Sequence, residues 1–134
     1  MTEKNKKINI KEELSRANDS RRAADLLYGE GLLNEAVSRL YYFLLYSIRA
    51  LLLTKELEPK SHEGALRLLG LHFIKTNEFE PKISHVFSKL MKYREEADYN
   101  PSYVFTKEDY TGLKKEADEL YSKIKTYLKK KQYV

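Results

Sequence analysis

The stretch from Asn34 to Leu57, NEAVSRLYYFLLYSIRALLLTKEL, constrains this chain more than any other. Leu33, Ala36, Val37, Leu40, Tyr41, Leu44, Ile48 and Leu51 recur at the i, i+3, i+4, i+7 spacing of one helical face. A second set, Tyr42, Leu45, Tyr46, Leu52 and Leu53, falls on the other sides, so the helix is apolar almost all round between Leu40 and Leu53. Such a helix needs neighbours on several sides. Arg39, Ser47 and Arg49 interrupt the run, which is too broken to match the roughly 20 apolar residues of a membrane span. The pattern predicts the central helix of a soluble bundle with no membrane partner. Its second apolar side is a candidate subunit contact, with Tyr42, Tyr46 and Leu53 as the expected residues.

The other elements follow from the same periodicity. A first helix is predicted from about Ile10 to Tyr28, with Ile10, Leu14, Ala17, Ala24 and Tyr28 on its stripe and Gly29 and Gly31 as stops. The short link to the next helix makes the two antiparallel neighbours, and Pro59 closes the second. Ser61 is a suitable N-cap for a third helix whose face holds His62, Ala65, Leu66, Leu69 and Phe73. From Pro81 a fourth carries Ile83, Val86, Phe87, Leu90, Met91 and Ala97 inward until Asn100 and Pro101 break it. Thr106 to Asp109 form a capping-box pattern, with Asp in place of Glu, for a last helix with the stripe Leu113, Ala117, Leu120, Tyr121, Ile124 and Leu128. No strand-like alternation competes with these stripes, and no repeat or linker divides the chain. The expected architecture is an all-α, up-and-down bundle of four to five helices, one domain over residues 1–134 with its core at about 10–128.

The absence of Cys removes disulfides, thiolate zinc sites and cysteine nucleophiles together. MTEKNKKINIKEEL lacks the apolar core of a signal peptide, and the expected location is cytoplasmic. The net charge of +5 is uneven, with Lys4, Lys6, Lys7 and Lys11 at one end and Lys123, Lys125, Lys129, Lys130 and Lys131 at the other. Such runs are usually solvated ends, although they can also attract phosphates.

Two arginines stand where apolar residues belong. Arg21 occupies the stripe of the first helix with Asp25 one turn on, and Arg94 occupies the centre of the fourth helix's face with Asp98 one turn on. A guanidinium so placed must be paired or must line a cavity, because burying an unpaired charge costs several kcal/mol. Arg21, Asp25, Arg94 and Asp98 therefore form either an internal ion-pair network or a polar cleft between the first and fourth helices, in which an Arg could hold a phosphate bidentately. The histidines give less. His62, His72 and His85 lack the i, i+4 spacing of a helical metal site, so no metal or other cofactor is expected. His85 falls opposite its stripe and should be exposed. His62 reads more naturally as a packed or hydrogen-bonded residue at a helix start than as a catalyst, since no partner for it is identifiable from sequence. The tyrosines on core stripes, Tyr28, Tyr41 and Tyr121, read as packing.

SRLYYFLLYSIRALLL, then PKSHEGALRLL, then YREEADY resemble the HEPN superfamily, in particular its small stand-alone members. The likeness rests on Arg39, Tyr41 and Tyr42, on Ser61, His62 and Gly64, and on Arg94, Ala97, Asp98 and Tyr99, and it spans about Ile10 to Leu128. It implies a helical bundle, commonly homodimeric, often encoded beside a minimal nucleotidyltransferase as a toxin and antitoxin pair. Many members are metal-independent ribonucleases that use an Arg and a His separated by four to six residues. Arg94 matches that Arg, but the positions where the His would stand hold Tyr99, Asn100 and Pro101. Asp98 and the two preceding glutamates add negative charge where an RNA phosphate would sit. The tyrosine that a partner transferase adenylylates in some relatives is replaced by Pro101, leaving Tyr99 or Tyr103 as substitutes.

Three expectations follow. The first is a module that binds a nucleotide or RNA phosphate at Arg94, as a homodimer partnered by a minimal nucleotidyltransferase. The second is a metal-independent ribonuclease toxin in which Arg94 is kept and His62 or Tyr99 replaces the missing base. The third is a purely structural interaction protein whose charged cluster only fixes packing.

Overall fold

In the computed structural model, which describes residues 1–134, five α-helices and no strand make up the chain: α1 (Glu3–Gly29), α2 (Leu33–Leu53), α3 (His62–Leu69), α4 (Lys82–Tyr99) and α5 (Lys107–Lys130). The all-α bundle is the architecture that the periodicity predicts. One core of 32 buried apolar residues draws on every helix. α2 packs against α1, α3, α4 and α5, and 14 of its 21 residues are buried. By length and composition α2 could cross a membrane, yet 78% of its most apolar window is covered by the rest of the bundle. Burial against four helices thus explains most of its apolarity, with Tyr42 and Tyr46 left partly exposed.

The ends of the helices show how local chemistry sets their bounds. α1 begins earlier than Ile10, because the Thr2 hydroxyl caps the Asn5 N–H and the first two turns need no apolar stripe of their own. Lys6 lies along the apolar surface there and carries its ammonium to the Thr54 carbonyl and Glu3. α1 stops in a Schellman motif: Leu32 N–H donates to Leu27 O and Gly31 N–H to Tyr28 O, with Gly31 at φ 79°. α2 ends in the same motif at Leu53 rather than Leu57, but there Glu56 takes the left-handed conformation at φ 56°. Ser61 caps α3 through the Gly64 N–H, and Thr106 with Asp109 completes the reciprocal capping box of α5.

The third helix does not continue as a regular α-helix to Phe73. Gly70–Ile74 widens into a π-helical turn that keeps Phe73 in the core, where Phe79 and Tyr127 meet it edge-on. Leu53 also departs from expectation. At 6% exposure it is largely taken up by the core, whereas Tyr42 and Tyr46 are partly exposed.

Candidate functional site

The two inward arginines have different surroundings and do not share a cleft. Arg21 is satisfied. Its Nε and Nη2 donate to the two Asp118 oxygens at 2.8 and 2.9 Å, and Nη1 lies 2.7 Å from Asp25 Oδ1. Lys114 approaches Asp25 from α5 at 3.4 Å. Burial works against the Asp25 charge, but Arg21 and then Lys114 outweigh it and hold the carboxyl below its usual range. Arg21 therefore ties α1 to α5. The sequence reading missed Asp118, because a partner 97 positions away leaves no trace in helical spacing.

Arg94 makes no hydrogen bond to the protein. Asp98 Oδ2 stands 3.6 Å from Nη1, beyond hydrogen-bond reach, and the buried Nε has no partner. The residue is only 7% exposed. Its guanidinium lies over the rings of Tyr41 and Tyr99, 5.4 and 5.9 Å from their centroids, which offsets part of the desolvation by cation–π attraction. Burial opposes the charge, but Tyr42, Tyr41 and Asp98 raise the pKa further, so Arg94 is a cation at any physiological pH.

Arg94 forms one wall of an open pocket of about 470 Å³ whose other walls are His62, Glu95, Glu96, Tyr99 and Asn100. The fold thus gathers at one place all three candidate catalytic residues, Arg94, His62 and Tyr99, from the start of α3 and the end of α4. Asp98 flanks the pocket, and Arg21 and Asp25 belong to the other cluster. Tyr99 is 76% exposed, and Tyr103 lies beyond the pocket in an aromatic group with Tyr93 and Phe105. His85 is exposed, as its position opposite the apolar stripe implies.

His62 has the partner that sequence could not identify. The Tyr41 hydroxyl lies 2.5 Å from His62 Nδ1. Tyr41 is fully buried, stacked on Phe87 at 5.6 Å with nearly parallel rings, and met edge-on by Tyr42. Its phenol pKa is pushed up, first by burial, so it keeps its proton. Tyr42 in turn carries the Arg39 guanidinium 4.6 Å above its ring. Tyr41 is therefore more than packing, since it supports Arg94 with its ring and His62 with its hydroxyl.

A five-helix bundle with an arginine that donates no hydrogen bond to the protein, a held histidine and a polar pocket at the α3–α4 end defines a class of helical proteins with a polar site at one end of the bundle. Comparison with known families then gives the lineage. The HEPN domain model matches residues 10–127. Two proteins of Methanocaldococcus jannaschii, each named "Putative toxin", are similar: one is 36% identical over 115 residues, covering 86% of this chain and 78% of the relative. The other is 34% identical over 113 residues, covering 84% of each. A Thermotoga maritima protein named UPF0332 is 33% identical over 86 residues, 64% of this chain and 65% of that protein. This chain belongs to the HEPN family.

Proposed function

We propose that the protein is a toxin-type HEPN module that binds the phosphate of a nucleotide or RNA at Arg94. The observation that carries this reading is the contrast between the arginines: Arg21 donates two hydrogen bonds to Asp118 and touches Asp25 at 2.7 Å, whereas Arg94 donates none to the protein and has only Asp98 at 3.6 Å. A buried guanidinium without an acceptor is costly, and a ligand oxygen relieves that cost while gaining a charge-assisted hydrogen bond. Glu95 and Glu96 on the same pocket would repel a run of phosphates. They suit a single phosphate with ribose hydroxyls that donate to the carboxylates. The likeness to proteins named putative toxins supports the coarser role. A homodimer and a minimal nucleotidyltransferase partner rest on the family resemblance, with the partly exposed Tyr42 and Tyr46 face left for the dimer. Titration of a nucleotide or a short single-stranded RNA tests the reading. Wild type should bind and folded Arg94→Ala should not; absent or equal binding contradicts it.

The placement of His62 beside Arg94 favours a second reading, metal-independent RNA cleavage. In it Arg94 stabilises the phosphate charge, and a 2′-hydroxyl attacks phosphorus with loss of its proton to a nearby base and expulsion of the 5′-oxygen. Cleavage in excess chelator that disappears in Arg94→Ala would establish it.

A further inference from the structure

The Tyr41–His62 contact has a chemical direction. Tyr41 is fully buried and its hydroxyl has no other hydrogen-bond partner than His62 Nδ1. A phenol has one proton to give, and a buried donor left without an acceptor costs on the order of 1–3 kcal/mol. If Nδ1 carried the imidazole proton, the ring would donate to the phenol oxygen and strand the hydroxyl hydrogen. The arrangement that uses every group has Tyr41 O–H donating to Nδ1, which places the neutral ring's proton on Nε2. Nε2 is the ring's remaining polar atom, and His62 lines the pocket beside Arg94.

We infer that His62 is a second phosphate ligand, presenting Nε2–H as a donor beside the Arg94 guanidinium, with Tyr41 as the positioning residue that fixes this tautomer. The inference rests on the proposed phosphate site and deepens it. It also reassigns His62 within the cleavage reading. A neutral imidazole whose Nδ1 is engaged and whose Nε2 is protonated has no free lone pair to accept a proton from a ribose hydroxyl. The base would then be a carboxylate on the pocket, Glu95 or Glu96, and His62 would act on the phosphate side.

The test is a titration of inorganic phosphate against wild type, His62→Gln, His62→Ala, Tyr41→Phe and Arg94→Ala, with the ¹⁵N spectrum of His62 recorded at about pH 8, above the ordinary imidazole range. Gln keeps a side-chain N–H at the reach of Nε2, so His62→Gln should bind within about threefold of wild type. His62→Ala should bind about tenfold more weakly, the equivalent of about 1.4 kcal/mol. The wild-type spectrum should show Nε2 protonated and Nδ1 bare, and Tyr41→Phe should mix the two tautomers and weaken phosphate binding. Phosphate binding that Arg94→Ala abolishes and His62→Ala leaves unchanged would overturn the assignment while leaving the phosphate site standing. An Nδ1-protonated wild-type ring would overturn the tautomer lock, and absence of phosphate binding by wild type would overturn both site and ligand.

Discussion

Tyr41 and His62, 21 positions apart, meet through a 2.5 Å contact between the phenol oxygen and Nδ1 that joins the core helix to the pocket wall. The tyrosine's ring belongs to the core and its hydroxyl belongs to the site. Tyr41→Phe keeps the stacking on Phe87 and removes one hydrogen bond, so it should cost about 0.5–1.5 kcal/mol in urea unfolding. Tyr41→Ala removes a buried aromatic as well and should cost about 3–5 kcal/mol. Equal costs for the two variants would show that the hydroxyl carries most of the residue's stabilising role.

Arg21 and Arg94 should separate under substitution by Met, which keeps the volume of the stem. Arg21→Met leaves Asp118 without its bidentate partner and unfastens α1 from α5, with an expected loss of about 1–3 kcal/mol and no change in ligand binding. Arg94→Met removes a buried cation with no hydrogen bond in the protein, and stability should change by less than about 1 kcal/mol or rise. A loss of 3–5 kcal/mol in Arg94→Met would indicate a structural pair instead.

The end of α2 carries correctable strain. Glu56 occupies at φ 56° the place that Gly31 fills at the end of α1, and a non-glycine residue there costs roughly 1–2 kcal/mol. Glu56→Gly should raise stability by up to about 1 kcal/mol, after the greater entropy of glycine in the unfolded chain is counted. Gly31→Ala should lower it by about 1–2 kcal/mol; thermal unfolding of both variants checks the pair.

Much of this fold is written in helical period. The stripes of α2, α4 and α5 locate their helices, Ser61 and Thr106 mark the caps of α3 and α5, and Arg94 declares itself by standing where an apolar residue should. Other features depend on distance in space. Periodicity places Tyr41 on a buried face without saying what its hydroxyl touches, and it cannot pair Arg21 with Asp118. The polar first turns of α1 have no stripe, so its start was legible only in the Thr2 cap. Leu53 lies outside the main stripe and is nonetheless covered, because α1, α3, α4 and α5 all pack against one helix.

Alkali should destabilise the fold through its tyrosines. The phenols of Tyr110 and Tyr127 are pushed up to about 12, each first by burial, with Asp25 adding for Tyr110 and Glu78 for Tyr127. In the unfolded chain a tyrosine ionises near 10. Between those values the unfolded state binds fewer protons than the folded one, so stability falls as pH rises. The contribution is complete below about pH 10 and lost through about pH 12, on the order of 2 kcal/mol for the fully buried Tyr110. The Tyr110 hydroxyl has no hydrogen-bond partner, so Tyr110→Phe should be neutral or slightly stabilising at pH 7 and should flatten the alkaline decline. A steeper decline in that variant would contradict the assignment.

The central claim is that Arg94 is held without an acceptor in order to receive one from outside. Its most direct test is fluorescence anisotropy of a labelled single-stranded RNA, in excess chelator, titrated with wild type, Arg94→Met and Arg21→Met, each shown by circular dichroism to be folded. Binding by wild type and Arg21→Met, weakened at least tenfold in Arg94→Met, is the expected result. Equal binding by all three, or none by any, would contradict it.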